Sequence, residues 1–325
     1  MQNNTSYDSP SVLITGGNGF IGKSLCAELF RRGQSVRAAV RLENSQVDNI
    51  ETMSIGDISS DTDWTNALLD IKVVIHAAAR AHVTQTNIVD SLDELRRVNV
   101  DGTLNLAQQA AEAGVQRFIF ISSIKVNGES TVLGRPYTTE DQPAPVDPYG
   151  ISKFEAEDAL RQLADETRME VVIIRPPLVY GAGVKANFRS MMSWLQKAVP
   201  LPLGAIHNKR TLVALDNLVD LIITCIDHPA AANQTFLAGD GEDMSTTELL
   251  QRLGGALGKP VKLLPMPVWA LKTGAMLLGK GGMAQRLCNS LQIDISKACD
   301  LLGWQPPVSV DEALKKTAAD FLQKL

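Results

Sequence analysis

Short apolar runs alternate with helix-length amphipathic stretches through the first half of the chain. Val12 to Ile14, Ser35 to Val40, Thr52 to Ile55, Val73 to Ala77, Arg117 to Ser122 and Glu170 to Arg175 each read as a strand. Lys23 to Phe30 has helical periodicity and stops at Gly33; Ser91 is a predicted N-cap for a long helix through Ala113, ended by Gly114. Asp147-Pro148 opens another helix, Asp as N-cap and Pro at the first helical position, and Pro176-Pro177 halts the sixth strand. Near-continuous apolar strands separated by helices predict an α/β fold, a doubly wound parallel sheet covered on both faces. Beyond Val179 the pattern loosens. Thr211 to Leu215 and Thr235 to Ala238 read as short strands around a helix from Asp216 to Asp227, and helices and proline-punctuated loops follow from Ser245. They predict a smaller, mostly helical C-terminal lobe over the C-terminal edge of the sheet.

Composition changes little in this picture. The 325 residues are 45% hydrophobic and 21% charged, enough for a sizeable core. A net charge of −5 leaves no footprint for a nucleic-acid backbone. Cys26, Cys225, Cys288 and Cys299 are scattered, without metal-ligand spacing, and read as reduced thiols in a cytoplasmic protein. Residues 1–10 are polar, unlike a signal peptide, and read as a flexible tail. The apolar stretch Pro267 to Gly279 contains Lys272 and is too short to span a bilayer. It reads as a packed helix, with a partner or membrane-edge contact as the alternative.

Chemistry enters at the first strand. Gly16, Gly17, Gly19 and Gly22 follow it within seven positions and precede a helix. A strand, a tight glycine turn and a helix start make a pyrophosphate cradle, in which Phe20 and Ile21 open the helix. An acid about twenty residues beyond such a turn selects NAD; here the second strand ends in Val40-Arg41. Arg41 can bind a 2′-phosphate, which favours NADP(H), whereas NAD(H) follows if Glu43 does the acid's work. Asp57-Ile58 can flank the adenine, Asp57 equally being a turn residue, and Ala77-Ala78-Ala79 supplies small side chains beside the cofactor. His76 reads as a strand-end core residue.

Tyr149 and Lys153 lie four apart, on one helix face. A phenol needs its pKa of about 10 brought near 7 to act as a base, about 4 kcal/mol of help that a nearby ammonium and a cationic oxidised nicotinamide can give. Ser122-Ser123 ends the fifth strand, at the edge where open parallel sheets bind ligands. With these residues the chain resembles an extended short-chain dehydrogenase/reductase of the epimerase/dehydratase group that acts on nucleotide sugars. The resemblance rests on residues 15–22, 98–103, 122–123, 149–153 and 175–181. It implies Tyr149 as acid/base, Ser123 as its partner on the substrate oxygen, Lys153 on the nicotinamide ribose, Asn99 as support and Pro176 beside the cofactor.

The resemblance also implies a UDP-sugar held between a dinucleotide-binding domain (11–178 plus 209–238) and a substrate-binding lobe (179–208 plus 239–325). Asn187 and Phe188 match the segment on the base and diphosphate, Arg210 the arginine on the diphosphate, and Arg286 a second phosphate ligand. Lys125 stands where sugar epimerases often have threonine, and is a substrate contact or a solvated lysine. The segments 122–129 and 265–270 are similar to reductases of surface-polysaccharide synthesis. With Arg41 they favour NADPH-dependent reduction of a UDP-4-keto-6-deoxy-N-acetylhexosamine at C4. The alternative is an NAD-dependent UDP-hexose 4-epimerase; a non-enzymatic NADP sensor is remote, because Tyr149 and Lys153 are both present. A homodimer through helices of the sheet domain is common in this group.

Overall fold

The apolar runs pair side by side in the computed structural model, which describes residues 11–43, 45–81, 88–279 and 281–325, with backbone alone at 88–90, 186 and 187. They form β1 (Val12–Thr15), β2 (Val36–Val40), β3 (Glu51–Ser54), β4 (Val73–His76), β5 (Arg117–Ile121) and β6 (Glu170–Arg175). With the strand Thr235–Leu237 they make one seven-stranded sheet, in the order β3, β2, β1, β4, β5, β6, Thr235–Leu237. Every pairing is parallel. The chain leaves β1 toward β2 and β3, then crosses back to β4 on β1's other side. That reversal opens a crevice at the C-terminal ends of β1 and β4. β3, at the sheet edge, is the one strand of the six without a buried residue.

Period-two alternation sends neighbouring side chains to opposite faces. Val12 and Ile14 pack with Leu25 and Leu29 of α1 (Phe20–Arg31) and Leu218 and Ile222 of α6 (Leu215–Asp227). Leu13, Val74, Phe118 and Phe120 pack with Leu106 of α3 (Gly102–Glu112) and Leu160 of α4 (Pro148–Glu166). A third cluster joins Phe188 and Met192 of α5 (Ala186–Gln196), Leu250 and Leu253 of α7 (Thr246–Ala256) and Leu314 and Phe321 of α11 (Val310–Gln323). The doubly wound sheet and the helical C-terminal region are thus as predicted. Trp304 is buried, its indole N–H donating to Asp220 at 3.1 Å.

Two expectations need correction, and a third is met only in part. The helix predicted from Ser91 begins earlier, as α2 (Ile88–Arg96), so Ser91 lies inside it and not at its N-cap position. It runs into a π-helical turn, Arg97–Asp101, before α3; side-chain periodicity carries no mark of that extra residue. The strand predicted from Thr211 to Leu215 is two bridges, Arg210–Thr211 with Asp243–Met244 and Val213–Ala214 with Val179–Tyr180, and Leu215 already starts α6. The stretch 267–279 forms α8 (Val268–Leu277), which has no fully buried residue and packs through partly buried side chains such as Leu271. The tail 1–10 lies outside the described residues.

Candidate active site

The glycine turn closes on itself. Gly16 has φ +67°, a left-handed conformation that costs a side chain dearly, and its carbonyl accepts from the Gly19 N–H at 2.8 Å. A Cβ on Gly22 would lie 2.1 Å from that carbonyl oxygen, so only glycine allows the helix to start so close to the strand. No side chain caps α1, which leaves its first N–H groups and the positive end of its dipole to a ligand. Phe20 packs against both the sheet core and the C-terminal core, and Ile21 against the former.

A cavity of about 580 Å³ opens at this turn, lined by Gly16, Arg41, Asp57, Ile58, Ala78 and Ala79 among others. Arg41 and Asp57 face each other, with 3.8 Å between guanidinium and carboxylate, and both are exposed. Ala77 is half-buried against the sheet core. The Pro176 carbonyl accepts from the Ile124 N–H at 3.0 Å, which ties the end of β6 to the turn after β5.

Behind the cavity runs a buried chain of hydroxyls and imidazole. His76 contacts Thr15 Oγ1 through Nδ1 at 2.7 Å and Thr103 Oγ1 through Nε2 at 3.0 Å, and Thr15 Oγ1 also accepts from Ala78 N–H. Burial, reinforced by the Lys153 charge, lowers the His76 pKa from 6.5 to about 3. The unfolded chain therefore binds a proton that the folded chain refuses. His76's contribution to stability is complete above about pH 6.5 and falls as pH drops toward 3, by at most about 1.4 kcal/mol per pH unit. Urea midpoints followed from pH 7 to 4.5 should show this slope, and His76→Asn should flatten it; an unchanged slope would exclude His76 as its source.

Asn99 sits in the π-helical turn, where its amide bonds both backbone groups of Arg80 at 2.9 Å and donates to Ser152 Oγ at 3.0 Å. It clamps the loop after β4 to α4. It is a positioning residue by geometry.

The two serines diverge. Ser122 Oγ is buried and donates to Glu157 at 2.5 Å. Ser123, half-buried, accepts from the Lys125 N–H at 3.3 Å and keeps its own proton for another acceptor. Asp147 caps α4 by accepting from Gly150 N–H at 2.7 Å, which sets Tyr149 and Lys153 in the first turns. Lys153 is buried, donates to the Ile121 carbonyl at 2.8 Å and lies 4.2 Å from the Phe120 ring centre. Burial lowers its pKa to about 7 against the opposing pull of Glu157. Burial and the Asp147 charge push Tyr149 up to about 12. Desolvation is thus the largest influence on both groups. Lys125, partly exposed, ion-pairs with Asp147 and approaches Glu129 at 3.7 Å, 6.0 Å from the Tyr149 ring centre.

On the substrate side, Arg210 donates to the carbonyls of Arg286 and Asn289 at 2.7 and 3.2 Å. Burial and the Arg286 charge lower its pKa. Among the described residues neither arginine has a carboxylate within ion-pairing distance, an arrangement suited to an anion. The side chain of Asn187 lies outside the described residues. The Phe188 side chain is buried and stacked on Tyr180, centroids 5.5 Å apart, because α5 turns it into the C-terminal core.

The sequence reading missed Glu157. This fully buried carboxylate takes two hydrogen bonds from Arg175, at 2.9 and 2.6 Å, and one from Arg161 at 2.8 Å. Its signal was faint: an acid four residues past Lys153, on the same helix face. Among the described residues no cluster could hold a metal ion, and no helix is long and apolar enough to cross a membrane.

Residues 12–239 match the NAD dependent epimerase/dehydratase family. Over 315 residues, 96% of each chain, the protein is 51% identical to a UDP-glucose 4-epimerase of Vibrio cholerae. Its fold matches a UDP-glucuronic acid 4-epimerase from Bacillus cereus solved with NAD, with a TM-score of 0.77 and 21% identity over 97% of this chain and 99% of the other. It also matches a UDP-glucose 4-epimerase from Thermotoga maritima solved with UDP-glucose, with a TM-score of 0.74 and 24% identity at the same coverage. The chain belongs to the NAD dependent epimerase/dehydratase family and is an NAD(P)-dependent enzyme of the extended short-chain dehydrogenase/reductase type.

Proposed function

We propose that this enzyme is an NAD-dependent UDP-hexose 4-epimerase. The observation that carries the reading is the 51% identity, across 96% of both chains, to a protein named UDP-glucose 4-epimerase. That likeness outweighs the local similarities that favoured reduction of a 4-keto sugar with NADPH. Arg41 no longer argues strongly for a 2′-phosphate, because Asp57 offsets its charge from 3.8 Å.

The cradle suits a dinucleotide: the Gly22 contact brings backbone close and the α1 terminus has no side-chain cap. In this reading residues 11–178 plus 209–238 hold the cofactor, Gly16, Gly19, Phe20, Ile21 and Gly22 at the pyrophosphate. Asp57 and Ile58 flank the adenine, while Ala77, Ala78, Ala79 and Pro176 line the rest. Residues 179–208 plus 239–325 hold the UDP-sugar. A bound nicotinamide supplies the hydride acceptor and donor at the sugar's C4. Ser123 holds the C4 oxygen, and Tyr149 takes its proton and later returns it. Lys153 binds the nicotinamide ribose and stabilises the tyrosinate, and Asn99 keeps the two segments in register. Arg210 and Arg286 clamp the diphosphate. For Lys125 to reach substrate it must leave Asp147. Since proton and hydride both return to the sugar, no net reductant is consumed.

The test is incubation with UDP-glucose and, separately, UDP-N-acetylglucosamine. The expected result is conversion to the C4 isomer with no loss of 340-nm absorbance from added NADPH. Stoichiometric loss of that absorbance on a UDP-4-keto-6-deoxy sugar, with no isomer exchange, would overturn the epimerase in favour of the reductase.

A further inference from the structure

The four most exposed large apolar side chains among the described residues lie on α8 and at its C-terminal end. Trp269, Met276 and Leu277 recur at helical spacing and are 73%, 76% and 84% exposed, and Leu278 beyond the helix end is 75% exposed. Leu271, on the opposite side, packs against the C-terminal core and anchors the helix. Met283 of α9 (Gly281–Cys288) extends the apolar surface. An exposed apolar patch of this kind marks a docking surface rather than scatter.

Charge identifies what docks. Although the protein is acidic overall, residues 253–293 contain no Asp or Glu and five cations: Lys259, Lys262, Lys272, Lys280 and Arg286. Among the described residues, none of Lys259, Lys262, Lys272 and Arg286 pairs with a carboxylate; Lys272, three residues after Trp269, donates to Asn289 Oδ1 at 3.1 Å. A second copy would meet this patch across a two-fold axis and set cations against cations. An anionic bilayer surface complements both properties, taking the apolar side chains at the acyl boundary and the lysines at its phosphates.

We infer that α8 and its cationic flanks dock the enzyme on anionic membrane surfaces. The helix lies in the interface and does not cross it. Arg286 is on α9, next to α8, and its carbonyl holds Arg210, so docking keeps the candidate diphosphate clamp beside the headgroups. The inference does not depend on which sugar or cofactor the enzyme uses.

The test is co-sedimentation of the full-length protein with vesicles, at low salt and at high salt. Vesicles of phosphatidylcholine with phosphatidylglycerol should bind it and shift Trp fluorescence to the blue, and added salt should release it. Vesicles of phosphatidylcholine alone should bind at least about tenfold less. Trp269→Ser combined with Leu277→Ser, both exposed and outside the site, should abolish binding and leave sugar turnover unchanged. Absence of binding, equal binding to neutral vesicles, or unchanged binding by the double variant would each overturn the inference. A concentration-dependent dimer lost in the double variant, without vesicle binding, would assign the patch to a second copy instead.

Discussion

Tyr149→Phe should lower kcat by about 10²- to 10⁴-fold, the range for loss of a positioned acid/base, while dinucleotide binding by fluorescence titration stays close to wild type. The substitution removes one hydroxyl and keeps the ring that packs beside Lys125. Its effect should be large because the phenol has so far to travel. Burial and Asp147 push Tyr149 up to about 12, and each unit toward neutrality takes about 1.4 kcal/mol. Two positive charges can supply that work: Lys153, one helical turn away, and the oxidised nicotinamide ring. Loss of kcat with KM for the sugar nearly unchanged would fit a group that acts on the transition state. Wild-type turnover by Tyr149→Phe would remove Tyr149 from the chemistry altogether.

Glu157→Ala should destabilise the fold by about 3–5 kcal/mol, the cost of leaving a buried charge without its partner. The carboxylate is completely buried and takes four hydrogen bonds, from Ser122, Arg161 and, twice, Arg175. Arg175 is itself buried and would keep Asn127 Oδ1, at 2.9 Å, as its side-chain acceptor. Chemical denaturation should show the loss as a lower midpoint at similar slope. The double variant Glu157→Leu with Arg175→Met should recover most of it, because similar apolar volume removes both charges together. A loss below about 1 kcal/mol in Glu157→Ala would mean that water or a neighbouring group compensates Arg175. Ser122, freed from Glu157, sits next to Ser123, so the variant tests how far the buried pair fixes the substrate side of β5.

Most of the site's backbone could be read from residue order because it depends on local chemistry. A left-handed Gly16, a helix opened by Asp147-Pro148 and a face shared by Tyr149 and Lys153 are set within a few residues of chain. The six strands before residue 176 were legible for the same reason, their apolar runs being short and bounded. Gaps came where distant contacts decide. Nothing local shows that the Phe188 side chain stacks on Tyr180 in the core beneath α5. The π-helical turn at Arg97–Asp101 places Asn99 between Arg80 and Ser152, two partners far apart in sequence from it.

By itself, the sequence determined a glycine cradle after the first strand, a parallel sheet wound on both faces and a Ser-Tyr-Lys set at the sheet's C-terminal edge. These follow from dihedral limits, from period-two and period-3.6 patterning and from fixed spacing along one helix. Only the tertiary structure decided that Ser122 turns inward to Glu157 and leaves Ser123 outward, and that Asp57 answers Arg41. It alone decided that burial raises the Tyr149 pKa and lowers that of Lys153, and that α8 exposes its outer apolar face. The reason is common to all of these: desolvation and charge pairing depend on which atoms surround a group. Those neighbours come from parts of the chain that residue spacing does not relate.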